Sequence, residues 1–132
     1  MPKFHTFYPY FTTFCIFLSY FTIVALISDV PGPPGIPDIS DIDSTKMTLT
    51  WTPPKDNGGA DILGYVIEKC EHDRKRWVKA HKEDMVTDLT YVVRDLQEGF
   101  KYMFRVSAEN IAGVGESSEA TPPTKARPPY GE

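Results

Sequence analysis

Residues 96–115 read LQEGFKYMFRVSAENIAGVG, and this run decides the fold. From Lys101 to Asn110 apolar and polar residues alternate. Tyr102, Phe104, Val106 and Ala108 fall on one face, and Met103, Arg105, Ser107 and Glu109 on the other. Successive side chains of an extended chain point to opposite sides, so a period of two predicts a strand with one buried face. Gly99 ahead of the run allows a tight loop into it, and the loop Asn110 to Gly115 follows it.

Moving outward from this strand, the same reading repeats in shorter pieces. Residues Ile36 to Ile42 can form a first, edge-type strand, prolines being tolerated at its start. Thr45 to Thr52 places Met47, Leu49 and Trp51 on one face. Pro53, Pro54 and the Asp56-Asn57-Gly58-Gly59 turn end it. Leu63 to Cys70 sets Tyr65 and Ile67 against Val66 and Glu68. A charged turn, Glu71 to Arg76, leads to a short strand at Trp77 and Val78; Tyr91 and Val93 alternate on the next. A last strand is predicted near Ser117 to Thr121, before Pro122-Pro123. Seven short strands separated by turn signals, with no long helical period, predict an all-β, two-sheet sandwich. Cys70 is the only cysteine after residue 28, so packing alone must hold the two sheets, with Trp51, Tyr65, Tyr102 and Phe104 as the main buried groups.

The chain as a whole is two unlike segments. Residues 1–28 carry one formal charge, Lys3, while residues 29–132 hold all the remaining 13 basic and all 18 acidic groups. An acidic balance of this kind argues against nucleic-acid binding, and two cysteines in 132 residues exclude a disulfide-dense scaffold. Tyr10 to Ile27 is apolar and as a helix would reach about 27 Å, near the thickness of a bilayer's hydrocarbon core. This segment is a candidate transmembrane span or export signal, though Leu26 and Ser28 are not the small pair a signal peptidase prefers. A spurious extension is the other reading. The expected organisation is an apolar segment at 1–28, a proline-rich linker at 29–35, the sandwich at 36–122 and a proline-rich linker at 123–132.

At this point the residues carry a pattern. Trp51, the Gly64-Tyr65-x-Ile67-Glu68 run, Trp77, Leu96-x-x-Gly99-x-x-Tyr102 and the stretch from Tyr102 to Gly115 together resemble a fibronectin type III domain, an immunoglobulin-like sandwich. The resemblance implies a tyrosine corner, with the Tyr102 hydroxyl turned back to the backbone near Leu96. Phe104 stands where an immunoglobulin domain would have its second cysteine, which favours the disulfide-free version. Pro31-Gly32-Pro33-Pro34-Gly35, the loop from Trp51 to Gly59, Ile62 to Tyr65 and Arg105 to Asn110 are further similar to modules of the titin, twitchin and projectin class of giant muscle proteins. That similarity implies a non-enzymatic spacer and docking bead in a thick-filament array, in the sarcomeric cytoplasm. Its partners would be neighbouring immunoglobulin or type III domains and thick-filament proteins. The alternative is a membrane-anchored or secreted adhesion or receptor fragment that uses residues 10–27 as its anchor or signal.

No catalytic, cofactor or metal constellation stands out. Cys70, His72 and His81 are three soft ligands without a fourth, expected as a free thiol at a strand end and two surface imidazoles. Asp38, Asp41 and Asp43 read as a charged edge that resists aggregation rather than a calcium loop. Pro31-x-x-Pro34 and Pro128-Pro129-Tyr130 resemble ligands of proline-reading domains but flank the sandwich as stiff linkers. Neither Arg-Gly-Asp nor an Asn-x-Ser/Thr acceptor occurs. The expected structural core is Trp51, Tyr65, Leu96, Gly99, Tyr102 and Phe104. The candidate contact loops are Arg74, Lys75 and Arg76, and Asn110, Gly113 and Gly115.

Overall fold

The computed structural model describes residues 28–130. The candidate membrane or signal segment at residues 10–27 lies outside the described residues. Among the described residues no helix is long and apolar enough to cross a membrane.

Every regular element described is a strand: β1 (Asp38–Ser40), β2 (Met47–Thr50), β3 (Gly64–Glu71), β4 (Trp77–Lys79), β5 (Thr90–Val93), β6 (Lys101–Asn110), β7 (Gly113–Val114) and β8 (Thr124–Lys125). They form two antiparallel sheets, one ordered β1-β2-β5 and the other β4-β3-β6-β7, with β8 also paired to β6. The longest ladder joins β3 to β6, from Gly64 opposite Glu109 to Glu71 opposite Tyr102. The inward residues of both sheets meet as a single core: Met47, Leu49 and Trp51 from one side, Tyr65, Ile67, Tyr102, Phe104, Val106 and Ala108 from the other. Trp51 meets Tyr65 edge-on, ring centroids 5.6 Å apart, while Tyr102 stacks beside Phe104. The all-β sandwich expected from the alternation is the observed fold.

The last strand is a correction. Residues 117–121 do not form a regular strand, and short pairings at Gly113–Val114 and Thr124–Lys125 take its place. In between, the chain still follows β6. Ser118 and Thr121 donate their N–H groups to the carbonyls of Val106 and Phe104 at 2.8 and 2.9 Å. The returning bonds end on side chains: the Val106 N–H donates to Ser118 Oγ at 3.0 Å and the Phe104 N–H to Thr121 Oγ1 at 2.9 Å. Two hydroxyls stand where a regular ladder would present carbonyls, so the buried amides of β6 are satisfied without regular strand geometry.

The expected linkers also need correction. Residues 29–35 lie against the sandwich rather than apart from it. Asp29, Gly32 and Gly35 donate their N–H groups to the carbonyls of Gly58, Asp56 and Thr52 at 2.7, 2.9 and 3.2 Å. Pro31 and Pro34 are buried, so the Pro31-x-x-Pro34 motif is not presented to a proline-reading partner. At the other end, Ala126 is fully buried in the core and exchanges bonds with Gly99 and Phe100. The packed body therefore includes residues assigned to both linkers, because backbone polar groups next to a core need partners.

Candidate functional site

The candidate contact surfaces lie at the two ends of the sandwich and on one sheet face. At the end where the described chain begins, three segments stack: 29–31, 57–59 and the loop 110–115. Asn110 is their brace. Its side chain is 2% exposed, and Nδ2 donates to the carbonyls of Asp29 and Asn57, each at 2.7 Å. Its Oδ1 accepts the Ala112 N–H at 2.8 Å. A buried amide with both donors and its acceptor in use organises the loop from within and offers little to a partner. Gly115 runs so close to Pro31 that a Cβ there would overlap the Pro31 carbonyl, while Gly113 lies against Val30. The side chains this loop turns to solvent are Ile111 and Val114, beside the exposed Val30.

At the opposite end is the turn between β3 and β4. Arg74 and Lys75 donate their N–H groups to the Glu71 carbonyl at 3.0 and 3.1 Å, and Lys75 takes a φ of 54°. Arg74 Nε lies 3.2 Å from Glu71 Oε1, leaving Lys75 and Arg76 exposed beside it. The turn borders a recess of about 300 Å3 lined by Glu71, His72 and Asp73 on one side and Gly99, Phe100 and Lys101 on the other. Acidic and basic groups alternate around it, so the turn is no simple cationic patch.

On the outer face of the larger sheet, Arg105 ties three strands together. Its Nε lies 2.7 Å from Glu68 Oε1 on β3, and its guanidinium stacks over Trp77 of β4 at 4.3 Å. Cys70 pairs in register with Trp77 and Met103 on this face and is buried between them. It is a free thiol one residue from the end of β3, buried rather than open to solvent.

Of the residues expected in the core, Gly99 is exposed. Trp51, Tyr65, Leu96, Tyr102 and Phe104 belong to the buried cluster, and Gly99 sits just ahead of β6 with a φ of 92°. Tyr102 Oη accepts the Gln97 N–H at 2.9 Å, so the corner bond falls one residue beyond Leu96. Burial pushes the Tyr65 phenol above its ordinary pKa. His81 is another correction. It is 7% exposed, held at both ring nitrogens and edge-on to Tyr91, rather than a surface imidazole. Of the aspartates at the first strand, Asp43 caps the Ser44 N–H at 2.7 Å. Among the described residues no group of three or more His, Cys, Asp or Glu side chains is arranged to hold a metal ion.

Sequence reasoning missed Ser118, Thr121, His81 and Arg105 as structural groups. Only the register of β6 against its neighbours reveals the first two. Arg105 and Glu68 could have been paired once β3 and β6 were aligned, since both face outward.

Two packed antiparallel sheets, a tyrosine corner and loop-built ends define a β-sandwich interaction module. The chain belongs to the fibronectin type III domain family, whose profile matches residues 32–124. Among curated proteins it is 39% identical over 77 residues to the striated-muscle M-protein of Gallus gallus, covering 58% of this chain and 5% of that protein. It is 40% identical over 92 residues to titin of Drosophila melanogaster, covering 64% of this chain and a share of titin that rounds to 0%. The chain thus spans 5% or less of these two relatives. Among solved structures it resembles a crystal structure of titin domains, with 36% identity and a TM-score of 0.72 over 76% of this chain and 33% of that one. The twitchin kinase region from C. elegans superposes with a TM-score of 0.72 at 30% identity, over 79% of this chain and 18% of that one. The module is therefore homologous to modules of giant muscle proteins, within a family of structural and binding domains.

Proposed function

We propose that this module is a non-enzymatic spacer and docking unit of a muscle thick-filament array, folding as one body from about Asp29 to Ala126. The observation that carries the reading is the 40% identity to Drosophila titin over 92 residues. The anchored ends support it. Bonds from Asp29 to Gly58 and from Gly99 to Ala126 fix the direction in which the chain enters and leaves the sandwich. A module held at both ends transmits position from one neighbour to the next. Its contact surfaces would be the Ile111–Val114 loop at one end and the Arg74–Arg76 turn at the other. Neighbouring immunoglobulin or type III domains and thick-filament proteins would be the partners.

The test is a sedimentation experiment with the full chain. It should pellet with purified thick filaments, and a variant changed at Ile111, Val114, Lys75 and Arg76 should stay in the supernatant. Absence of filament binding, with recovery of the tagged chain from muscle cells in carbonate-resistant membranes, would support the anchored adhesion reading instead.

A further inference from the structure

The connector from β4 to β5, residues 80–89, runs along the edge of β3 that faces away from β6. Ala80 donates its N–H to the Ile67 carbonyl at 2.8 Å, and Tyr65 and Val86 exchange N–H···O bonds at 2.7 and 2.8 Å. Between these backbone bonds the Ile67 N–H donates to Nε2 of His81 at 3.1 Å. Nδ1 of the same ring lies 2.8 Å from the Glu83 carbonyl. A carbonyl only accepts, so Nδ1 carries the proton; an amide N–H only donates, so Nε2 is bare. One neutral tautomer satisfies both contacts, and the imidazolium, a donor at both nitrogens, cannot. The ring is buried and stands edge-on to Tyr91 of β5 at 5.9 Å. The Tyr91 hydroxyl in turn reaches Glu83 Oε1 at 3.4 Å, so the connector is fastened to both sheets.

We propose that His81 is an acid-sensitive latch: protonation at Nε2 sets two N–H groups against each other and releases residues 80–86 from the edge of β3. The charged groups around the ring come from three elements. Lys79 on β4 opposes the imidazolium, and Glu83 on the connector favours it. From β5 comes the Tyr91 phenol, its pKa raised by burial and by Glu83 and lowered by Arg94. From β3 the contact is the Ile67 backbone amide. Burial is the largest influence and, with Lys79, holds the imidazole below its ordinary value of 6.5 despite the Glu83 carbonyl and carboxylate. The unfolded chain therefore takes up the proton first as the pH falls. The latch contributes fully above pH 6.5, and its contribution is lost as the pH drops through the lower folded value. One proton limits the change to about tenfold in the folding constant per pH unit.

The test uses the full chain, with nitrogen-15 NMR of the imidazoles and amide hydrogen exchange corrected for intrinsic rate, from about pH 7.5 to 5. At the upper end His81 should show the Nδ1–H tautomer. As it titrates, protection at the Ile67 amide should fall at least about tenfold and drop below that of the Val106 amide, held by Ser118 Oγ, which follows only the folding constant. The Nε2–H tautomer, an ordinary titration with constant Ile67 protection, or Ile67 protection that stays equal to that of Val106 throughout would each overturn the latch. His81→Gln, a neutral acceptor, should make Ile67 protection independent of pH across this range; persistence of the wild-type dependence would also overturn it. The wild-type measurement decides the matter even if that variant does not fold.

Discussion

The side-chain amide of Asn110 holds the carbonyl of Asp29 at 2.7 Å across 81 residues of sequence. It thereby joins the first described turn of the chain to the loop between β6 and β7. This contact, with its twin to Asn57, ties three segments together at that end of the module. Asn110→Ala should lose about 2 to 4 kcal/mol of unfolding free energy in urea, since two carbonyls and the Ala112 N–H lose their partner. Asn110→Asp should be no better, because a carboxylate cannot donate to either carbonyl. A loss under about 0.5 kcal/mol for Asn110→Ala would show that the three segments hold together without it.

Tyr102→Phe keeps the ring in the core and removes only the acceptor of the Gln97 N–H. The expected cost is about 1 to 3 kcal/mol, with faster exchange confined to the Gln97 amide and its neighbours. Unchanged stability together with unchanged Gln97 protection would count against the corner bond.

The hydroxyl-capped section beside β6 makes a paired prediction. Thr121→Val conserves shape but leaves the buried Phe104 N–H without an acceptor, and Ser118→Ala does the same to Val106. Each should cost about 1 to 3 kcal/mol by denaturant melting. Thr121→Ser should recover most of the loss, because the hydroxyl and not the methyl makes the bond. Equal behaviour of the Ser and Val variants would refute that assignment.

Two glycines should respond differently to alanine. At Gly115 the new methyl overlaps the backbone carbonyl of Pro31, so the docked segment must move. At Gly99 nothing lies within 4 Å of the added carbon, and only the φ of 92° is unfavourable. Gly99→Ala should cost about 1 to 2 kcal/mol. Gly115→Ala should cost more and should raise hydrogen exchange at Asp29 and Gly32, whose amides bond to the facing loop. The reverse order of stability would show that the segment is not closely docked.

Periodicity made β6 legible residue by residue, since Tyr102, Phe104, Val106 and Ala108 needed only a buried face to sort themselves inward. It misjudged the final strand, where Ser118 and Thr121 look like ordinary polar positions of an edge. Their role depends on which amides of β6 they meet. The proline-rich lead-in was read as a spacer because composition signals extended backbone, and extended backbone can equally lie along a neighbour when its amides find carbonyls there.

The contact loops divide in the same way. Arg74 to Arg76 were visible as a charged turn, but the Glu71 carboxylate and carbonyl that bind Arg74 temper them. Asn110 was assigned to a loop surface and turns out to face inward.

What the sequence by itself determined is the sandwich: which residues alternate, where turns fall, and that a core of aromatic and branched side chains must hold without a disulfide. These are local properties, set by backbone geometry and the hydrophobic effect within a few residues. What only the tertiary structure decided is the polar wiring. The partners of Asn110, Thr121, His81 and Ser118 lie 81, 17, 14 and 12 residues away. A hydrogen bond requires its partner within about 3 Å and in the right direction, and only the folded arrangement of both sheets supplies that.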